Sequence, residues 1–232
     1  MAIARRELLR GAVAAAFSAG LAVEGAWRAG AAVPRPVLRE GSRGPAVVTL
    51  QARLATLGYW AGSVDGSFGD LTRQAVLAVQ KASGLVRDGV VGPETWSRLD
   101  AGVRPGARSR VGHVLEIAKG TQLLLVVDGG RVSRIFNTST GSGQWYFQGG
   151  TWHVASTPTG SYRVFRQVDA WDDGPLGRLY RPKYFNEGIA VHGYPSVPAF
   201  PASHGCVRLS LPAMDLLWRP GGLAVGGPVL VY

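Results

Sequence analysis

The apolar positions of the chain follow two different periods. Between residues 38 and 100 they recur at three- and four-residue steps, as in Leu50, Leu54 and Leu57, which is the spacing of one buried helical face. Over residues 111–232 short apolar runs alternate with turn residues instead, a pattern that is typical of strands. The chain is therefore predicted to be an α+β multidomain protein, with a small helical domain followed by a mainly β domain.

Three short helices are expected in the first domain, which contains an internal repeat. Residues 65–72 (DGSFGDLT) reappear as residues 88–95 (DGVVGPET), and each copy is a glycine-containing turn that runs into a helical pattern. Pro45 and Pro93 suit the first position of a helix, and Gly58 stands where a helix should end. The turns resemble calcium loops, but no bidentate acid stands at the closing position, so their acids are interpreted as turn and cap residues.

The second domain is expected after a linker over residues 101–110, which is rich in Gly, Pro and Arg and shows no periodicity. Apolar runs at residues 122–127 and 131–136 flank an Asp-Gly-Gly turn, which is a strong hairpin signal. One helix is predicted over residues 210–218, with Ser210 as its N-cap. Five aromatic residues are assigned to two long loops, where they either line a pocket, form a lid or pack in the core: Trp145, Tyr146, Trp171, Tyr180 and Tyr184.

An export signal is predicted over residues 1–31. The pair Arg5-Arg6 precedes an apolar run over residues 11–23, and small residues follow at 29–31 with the spacing of a signal-peptidase site. The arginine pair resembles a twin-arginine signal, and an uncleaved membrane anchor is the alternative. The run is shorter than the ~20 residues that span a bilayer, so no transmembrane segment is expected in the mature chain. Both interpretations place the working part outside the cytoplasm, and cleavage would leave it in the periplasm or cell wall.

The charge of the chain narrows the class of partner. The 232 residues carry a formal net charge of +10, which suits nucleic acid, anionic lipid or an acidic wall polymer. The basic residues are scattered, and the sequence has no zinc-finger spacing, RNA-binding aromatic motif or continuous basic helix. Adhesion to an anionic matrix is therefore favoured, and no binding to nucleic acid is expected.

The residues that carry chemistry surround the single cysteine, Cys206. No intramolecular disulfide is possible, and a thiol becomes a useful nucleophile only as thiolate, beside a base or a positive charge. His192 and His204 are its neighbours in the sequence, and backbone amides around Gly205 and Cys206 are suited to stabilising an oxyanion. A buried structural cysteine and a zinc site made by the two histidines and the cysteine are the alternatives. The zinc site lacks an evident fourth ligand, so no metal or cofactor is expected.

The helical segment resembles the peptidoglycan-binding domain found on many wall hydrolases. The resemblance covers nearly all of residues 38–99, including the motifs LQ at residue 50, LGY at 57, QK at 80 and GL at 84. It implies a peptidoglycan-binding domain over residues 38–100, with Tyr59, Trp60 and Phe68 as candidate wall contacts. A small structural domain without a ligand is the alternative.

The second domain resembles the L,D-transpeptidase catalytic (YkuD-type) domain over residues 111–232. The signature of that family is a His, a short spacer and then Ser/Thr-His-Gly-Cys, which matches His192 and residues 203–206 (SHGC) in this chain. Residues 156–160 (STPTG) also resemble the upstream Thr-Pro-Thr-Gly turn of the family. The chain departs from the pattern in a short spacer after the histidine and in Arg208, where many members have Asn.

The resemblance implies a role for each matching residue. Cys206 would be the nucleophile that accepts the acyl group, His192 its general base, and the carbonyl of Gly193 the group that orients the imidazole. The other candidates are His204 and Ser203 as pocket residues, Gly205 as an oxyanion donor, Arg208 as the partner of a substrate carboxylate or of the thiolate, and Tyr184 as a substrate contact.

The implied reaction is attack on a stem tetrapeptide, with loss of D-Ala, followed by transfer to an amine of a neighbouring stem to give a 3→3 cross-link. The implied partners are peptidoglycan stem peptides and glycan, and a monomer is expected. Two alternatives stay open: an L,D-carboxypeptidase that hydrolyses the same acyl-enzyme, and a wall-binding protein with a dead catalytic domain. The intact His192 and Cys206 argue against the second.

Overall fold

The N-terminal part of the described chain is built from three short helices. The structure is a computed structural model that describes residues 35–232, so the predicted export signal lies outside the described residues. The helices are α1 (Pro45–Thr56), α2 (Asp70–Ala82) and α3 (Pro93–Asp100). None of the helices within residues 35–232 is long and apolar enough to span a bilayer.

The internal repeat is explained by two buried glutamines, each of which holds one of the repeated turns. Gln51 of α1 donates to the Asp65 carboxylate at 2.9 Å and accepts from the Gly66 amide at 2.9 Å. Gln80 of α2 makes the same pair of bonds with the next copy, to Asp88 at 2.7 Å and from the Gly89 amide at 2.9 Å. The acids therefore act as turn residues, because they shape the loops that lead into the following helix.

Two of the three aromatic residues that were expected on the surface of the helical domain are buried. Tyr59 and Phe68, expected as exposed wall contacts, are fully buried in the core of the domain. Trp60 is half-buried against Phe136, with ring centroids 5.8 Å apart. The expectation was wrong for the first two, because both side chains belong to the same buried hydrophobic core as Leu50 and Leu54 of α1.

The rest of the chain forms twelve strands and one helix. In chain order the strands are β1 (His113–Ala118), β2 (Leu123–Asp128), β3 (Arg131–Asn137), β4 (Trp145–Gln148), β5 (Thr151–Val154), β6 (Gly160–Arg163), β7 (Arg166–Gln167), β8 (Trp171–Gly174), β9 (Gly177–Asn186), β10 (Ile189–Gly193), β11 (Val207–Leu209) and β12 (Pro228–Val231), with helix α4 (Leu211–Trp218) between the last two. The predicted β2–β3 hairpin and the helix after the cysteine are confirmed. The five aromatic residues assigned to loops lie in β4, β8 and β9 instead.

The strands form two large sheets and a separate hairpin. One sheet has the order β3-β2-β1-β12-β6, the other has the order β11-β10-β9-β7 with β8 added to β9, and β4 pairs only with β5. Leu124 and Val126 of β2 face a core shared with the second sheet and α4, whereas Leu123 and Leu125 face the helical domain. Because both faces of this strand are buried, its sequence is an unbroken apolar run rather than an alternating one.

The contact between the helical domain and the first sheet is polar as well as apolar. The ammonium of Lys81 in α2 is buried and donates to the carbonyls of Gln122 and Thr138 at 3.0 and 2.9 Å and to the side chain of Asn137. The Asn137 amide donates in turn to the side chain of Gln74, also in α2, at 2.5 Å. The fold is the predicted one, an α+β chain with a helical and a mainly β part, and the two parts share one interface.

Candidate active site

The sequence motif around the cysteine is assembled on two neighbouring parallel strands. β10 pairs with β11 so that Val191 lies opposite Val207 and His192 opposite Arg208. Cys206 immediately precedes β11, which places it next to the middle of β10. The Ala190 amide lies 3.5 Å from the Cys206 sulfur. Because an N–H group that points at the sulfur favours its anionic form, this backbone contact assists formation of a thiolate.

His192 is buried and held in one orientation. Its Nδ1 atom lies 2.9 Å from the carbonyl oxygen of Gly193, and since a carbonyl only accepts hydrogen bonds, Nδ1 carries the proton and Nε2 has a free lone pair. Burial lowers the pKa of His192 to about 4. The imidazole is therefore neutral near neutral pH and is held by the Gly193 carbonyl, and its role as the general base stays a prediction.

Glycine is required at position 193 for a steric reason. A Cβ atom added there would lie 2.7 Å from Cδ1 of Tyr180 and 3.1 Å from Cδ2 of Leu211, both closer than ordinary contact. The backbone of β10 can approach these side chains only without a side chain of its own. The absence of a side chain at position 193 therefore lets the backbone hold the Gly193 carbonyl against His192.

The thiol of Cys206 is partly exposed to a cavity and protonated at rest. Burial raises its pKa, against the opposing effects of the Ala190 amide and the Arg208 guanidinium. The same guanidinium disfavours a second positive charge on His192. At neutral pH both groups are consequently uncharged, a thiol and a neutral imidazole.

Ser203 and Gly205 shape the loop that carries the cysteine. The Ser203 hydroxyl donates to the Cys206 carbonyl at 2.5 Å and accepts from the Gly205 amide at 3.0 Å. The Thr157 hydroxyl donates to the Gly205 carbonyl at 2.6 Å. Gly205 has φ +146, and an added Cβ would lie 2.9 Å from the carbonyl oxygen of Ser156. Because its amide is already bonded to Ser203, Gly205 contributes by holding the turn.

His204 and Arg208 contact different aromatic residues. The His204 ring packs edge-on against Tyr146 of β4, with centroids 4.7 Å apart. The Arg208 guanidinium lies 4.1 Å from the ring centroid of Tyr194 and donates to the Ala202 carbonyl at 3.2 Å. Neither side chain hydrogen-bonds to the sulfur, so Arg208 affects the thiol only through its charge.

A cavity of about 770 Å³ connects these residues. Its lining includes every side chain that the sequence predicted for the site, namely His192, Ser203, His204, Cys206, Arg208 and Tyr184. Tyr146 and His153 on one face of the β4–β5 hairpin also line it, whereas Trp145, Phe147 and Trp152 on the other face are exposed. The hairpin therefore forms one wall of the cavity, and of the five aromatic residues considered for a wall, a lid or the core, Tyr146 and Tyr184 line it.

Several polar groups of the site were not assigned from the sequence. The Ala190 amide was missed because a backbone donor leaves no trace in the sequence. Thr157 lies in the STPTG motif of residues 156–160, but its bond to Gly205 is visible only in the structure. Asp172, which accepts from the Tyr184 hydroxyl at 2.7 Å, belongs to no motif. Within residues 35–232 there is no cluster of three or more His, Cys, Asp or Glu residues arranged to bind a metal ion.

Two family models match successive parts of the chain. Residues 43–99 match the model described as a putative peptidoglycan binding domain, and residues 112–231 match the L,D-transpeptidase catalytic domain. The second match covers more than half of the 232 residues. The chain therefore belongs to the L,D-transpeptidase family, and a peptidoglycan-binding domain precedes its catalytic domain.

Individual relatives agree with this assignment to different extents. A crystallised part of an L,D-transpeptidase from Xylanimonas cellulosilytica is 50% identical, covers 87% of this chain and 98% of that one, and superposes with a TM-score of 0.82. The N-acetylmuramoyl-L-alanine amidase CwlM of Mycobacterium tuberculosis is 50% identical over 56 residues, 24% of this chain and 14% of that protein. The zinc D-Ala-D-Ala carboxypeptidase of Streptomyces albus G is 44% identical over 66 residues, 27% and 25% of the two chains. The chain spans only a small part of these two curated relatives.

Proposed function

We propose that the protein is an exported cysteine L,D-transpeptidase that forms 3→3 cross-links in peptidoglycan through an acyl-enzyme on Cys206. One observation carries the proposal: a partly exposed thiol just before β11 and a buried, oriented neutral imidazole on the adjacent parallel strand β10 line one cavity. A nucleophile beside a base that a third group orients is the arrangement that acyl transfer requires. The membership of the family and the peptidoglycan-binding domain support the polymer as the substrate.

In the proposed first half-reaction, Nε2 of His192 takes the thiol proton of Cys206. The sulfur attacks the carbonyl carbon of the third residue of a donor stem, and the amide of Cys206 is the backbone donor expected to face the resulting oxyanion. The bond from this carbon to the nitrogen of D-Ala then breaks, and His192 returns the proton to that nitrogen. D-Ala leaves, and a thioester remains on the enzyme.

In the proposed second half-reaction, an amine of a neighbouring stem attacks the thioester. His192 takes a proton from this amine and returns it to the departing sulfur, which restores the thiol and leaves a new amide between two stems. Water in place of the amine would release a tripeptide, which is the carboxypeptidase alternative. Arg208, on the rim of the same cavity, is proposed to bind the terminal carboxylate of the donor, because a guanidinium pairs well with a carboxylate.

Product analysis tests this proposal. We expect the protein, incubated with tetrapeptide muropeptides, to release D-Ala and to give cross-linked dimers by mass spectrometry. Tripeptide without dimer would support the carboxypeptidase instead. Unchanged substrate from a folded sample would contradict both enzyme reactions and favour a wall-binding protein.

A further inference from the structure

Residues 194–202 (YPSVPAFPA) connect the end of β10 to the SHGC motif of residues 203–206, and they form neither helix nor strand. Three of these nine residues are prolines, which have no N–H group to donate. Within residues 35–232 no backbone hydrogen bond joins two members of this segment. We call it the connecting loop, and its shape depends on the hydrogen bonds that it makes with other parts of the chain.

Each carbonyl group of residues 197–200 faces a side-chain donor outside the connecting loop. The first accepts from the side-chain amides of Gln74 at 3.2 Å and Asn137 at 3.3 Å, and the second lies 3.5 Å from the Asn137 amide nitrogen. The third and fourth accept from the Arg87 guanidinium at 3.2 Å and the Ser139 hydroxyl at 2.8 Å. Gln74 lies in α2 and Arg87 lies between α2 and α3, so the helical domain contacts the loop directly.

Gln74 and Asn137 belong to a buried network that leaves them little freedom. The Asn137 amide also donates to Oε1 of Gln74 at 2.5 Å, and the Lys81 ammonium donates to Oδ1 of Asn137. All three side chains, and Val197 itself, are at most 7% exposed. Because a satisfied buried network of this kind favours one geometry, the helical domain fixes where Val197 lies.

The far end of the connecting loop transmits this position to the thiol. The Ala202 and Ser203 amides both donate to the Thr140 carbonyl, at 3.1 and 3.0 Å. The Ser203 hydroxyl then donates to the Cys206 carbonyl at 2.5 Å. Since a reacting pair must be held within about 0.5 Å of its productive geometry, a shift of the connecting loop displaces Cys206 relative to His192.

We infer that the helical domain is a structural part of the catalytic centre, in which Gln74 and Asn137 are positioning residues that hold the connecting loop and, through it, Cys206. This inference rests on the proposed function of Cys206. Neither Gln74 nor Asn137 lines the catalytic cavity, so their effect on the reaction is indirect. Without their bonds to Val197 the loop gains freedom, and the thiol spends less time in the geometry that attack requires. The loss is independent of attachment to the wall, and it should appear with a small soluble donor.

The substitution Gln74→Leu tests this inference in the full chain, because it keeps the size of the side chain and removes the amide that donates to Val197. With a soluble tetrapeptide donor, D-Ala release in a single turnover gives the rate constant for acylation of Cys206 at saturation. We expect this constant to fall about tenfold or more, since a displacement of about 1 Å can cost roughly a hundredfold in rate. The donor concentration for half-saturation should stay the same, because the cavity keeps its lining.

The substitution Asn137→Asp removes the other donor to Val197 and keeps an oxygen atom that accepts from Lys81. The contact between the helical domain and β3 is therefore retained, whereas the hold on the connecting loop is lost. We expect a fall in the acylation rate constant similar to that of Gln74→Leu, again with an unchanged donor concentration for half-saturation.

The matched control is Gln51→Leu, which makes the same change at a buried glutamine of α1. Within residues 35–232 the side chain of Gln51 bonds only to residues 65–67 and Thr72, all in the helical domain. Because Gln51 makes more hydrogen bonds than Gln74, urea unfolding should show at least as large a loss of stability. At a temperature where both variants are folded, the acylation rate constant of Gln51→Leu should keep its wild-type value.

Alkylation of Cys206 by iodoacetamide, followed by intact-protein mass spectrometry, gives a second readout that needs no bound donor. Its rate depends on how readily the thiol becomes a thiolate, and a displaced thiol loses the help of His192. The rate should therefore fall in Gln74→Leu and Asn137→Asp but not in Gln51→Leu.

Three outcomes decide against the inference or the function beneath it. Wild-type acylation and alkylation rates in both Gln74→Leu and Asn137→Asp would contradict the positioning role and leave the proposed function intact. An equal fall of both rates in Gln51→Leu would contradict it too, because the loss would then follow the stability of the helical domain. A wild-type protein that releases no D-Ala overturns the proposed function, and the alkylation rates alone then decide whether the two residues position the thiol.

Discussion

At the scale of single residues, the buried imidazole of His192 links catalysis to stability. Its pKa falls to about 4 because burial penalises the charged ring, and the Arg208 guanidinium acts in the same direction. The unfolded chain has no such penalty, and a free histidine there titrates near ~6.5. The proposed base therefore stays available in acid, where an exposed histidine would already be protonated.

The shift of His192 predicts how stability changes with pH. Above about pH 6.5 the ring is neutral in both states and contributes nothing. Between about 6.5 and 4 only the unfolded state takes up the proton, so the free energy of unfolding should fall by roughly 3 kcal/mol across this range. Urea unfolding at pH 7.5 and 4.5 measures the change, and His192→Gln should show a smaller one. An identical loss in wild type and variant would contradict the burial argument.

The residues that the sequence identified and those it missed differ in kind. Cys206 and His192 were predicted as site residues because the single thiol lies in a specific motif, and Gly193 was predicted from the resemblance. Ala190 contributes through its backbone, and Asp172 of β8 contributes through a bond to Tyr184 of the adjacent strand β9. Contacts of these two kinds depend on strand register, which short motifs do not encode.

At the scale of elements, the helices and the β2–β3 hairpin, which has an Asp-Gly-Gly turn, were predicted from the sequence. The β4–β5 hairpin was not. All four residues of β5 are exposed, so the strand has no buried face to produce an alternating apolar pattern. Its turn, Gly149-Gly150, has positive φ at both residues, as a two-residue hairpin turn requires.

Helix α2 provides a prediction about the interface between the two parts. Lys81→Met keeps the length of the side chain but leaves the carbonyls of Gln122 and Thr138 and the side chain of Asn137 without their donor. Since each unpaired buried acceptor is costly, we expect the free energy of unfolding to fall by about 2–4 kcal/mol. Lys119→Met, in the turn between β1 and β2, is the control and should have little effect. Urea unfolding measures both, and equal stability would refute the role of Lys81.

At the scale of the whole molecule, the helical domain is part of the scaffold that positions the site. The Gln74 amide donates to the carbonyl of Val197 at 3.2 Å, and Val197 lies in the segment between His192 and Cys206. The residues predicted as a linker are also fixed, since the Val103 carbonyl accepts from the Tyr59 hydroxyl at 2.9 Å. Composition alone identified residues 101–110 as irregular, but it did not show that they are held in place.

The central claim is that Cys206 carries the acyl group, and intact-protein mass spectrometry tests it most directly. After brief reaction with a tetrapeptide donor and an acid quench, we expect a mass increase equal to the tripeptide acyl group, mapped to Cys206 by digestion, together with free D-Ala. Cys206→Ala should show neither. Release of D-Ala by Cys206→Ala at the wild-type rate, or an adduct on another residue, would contradict the account.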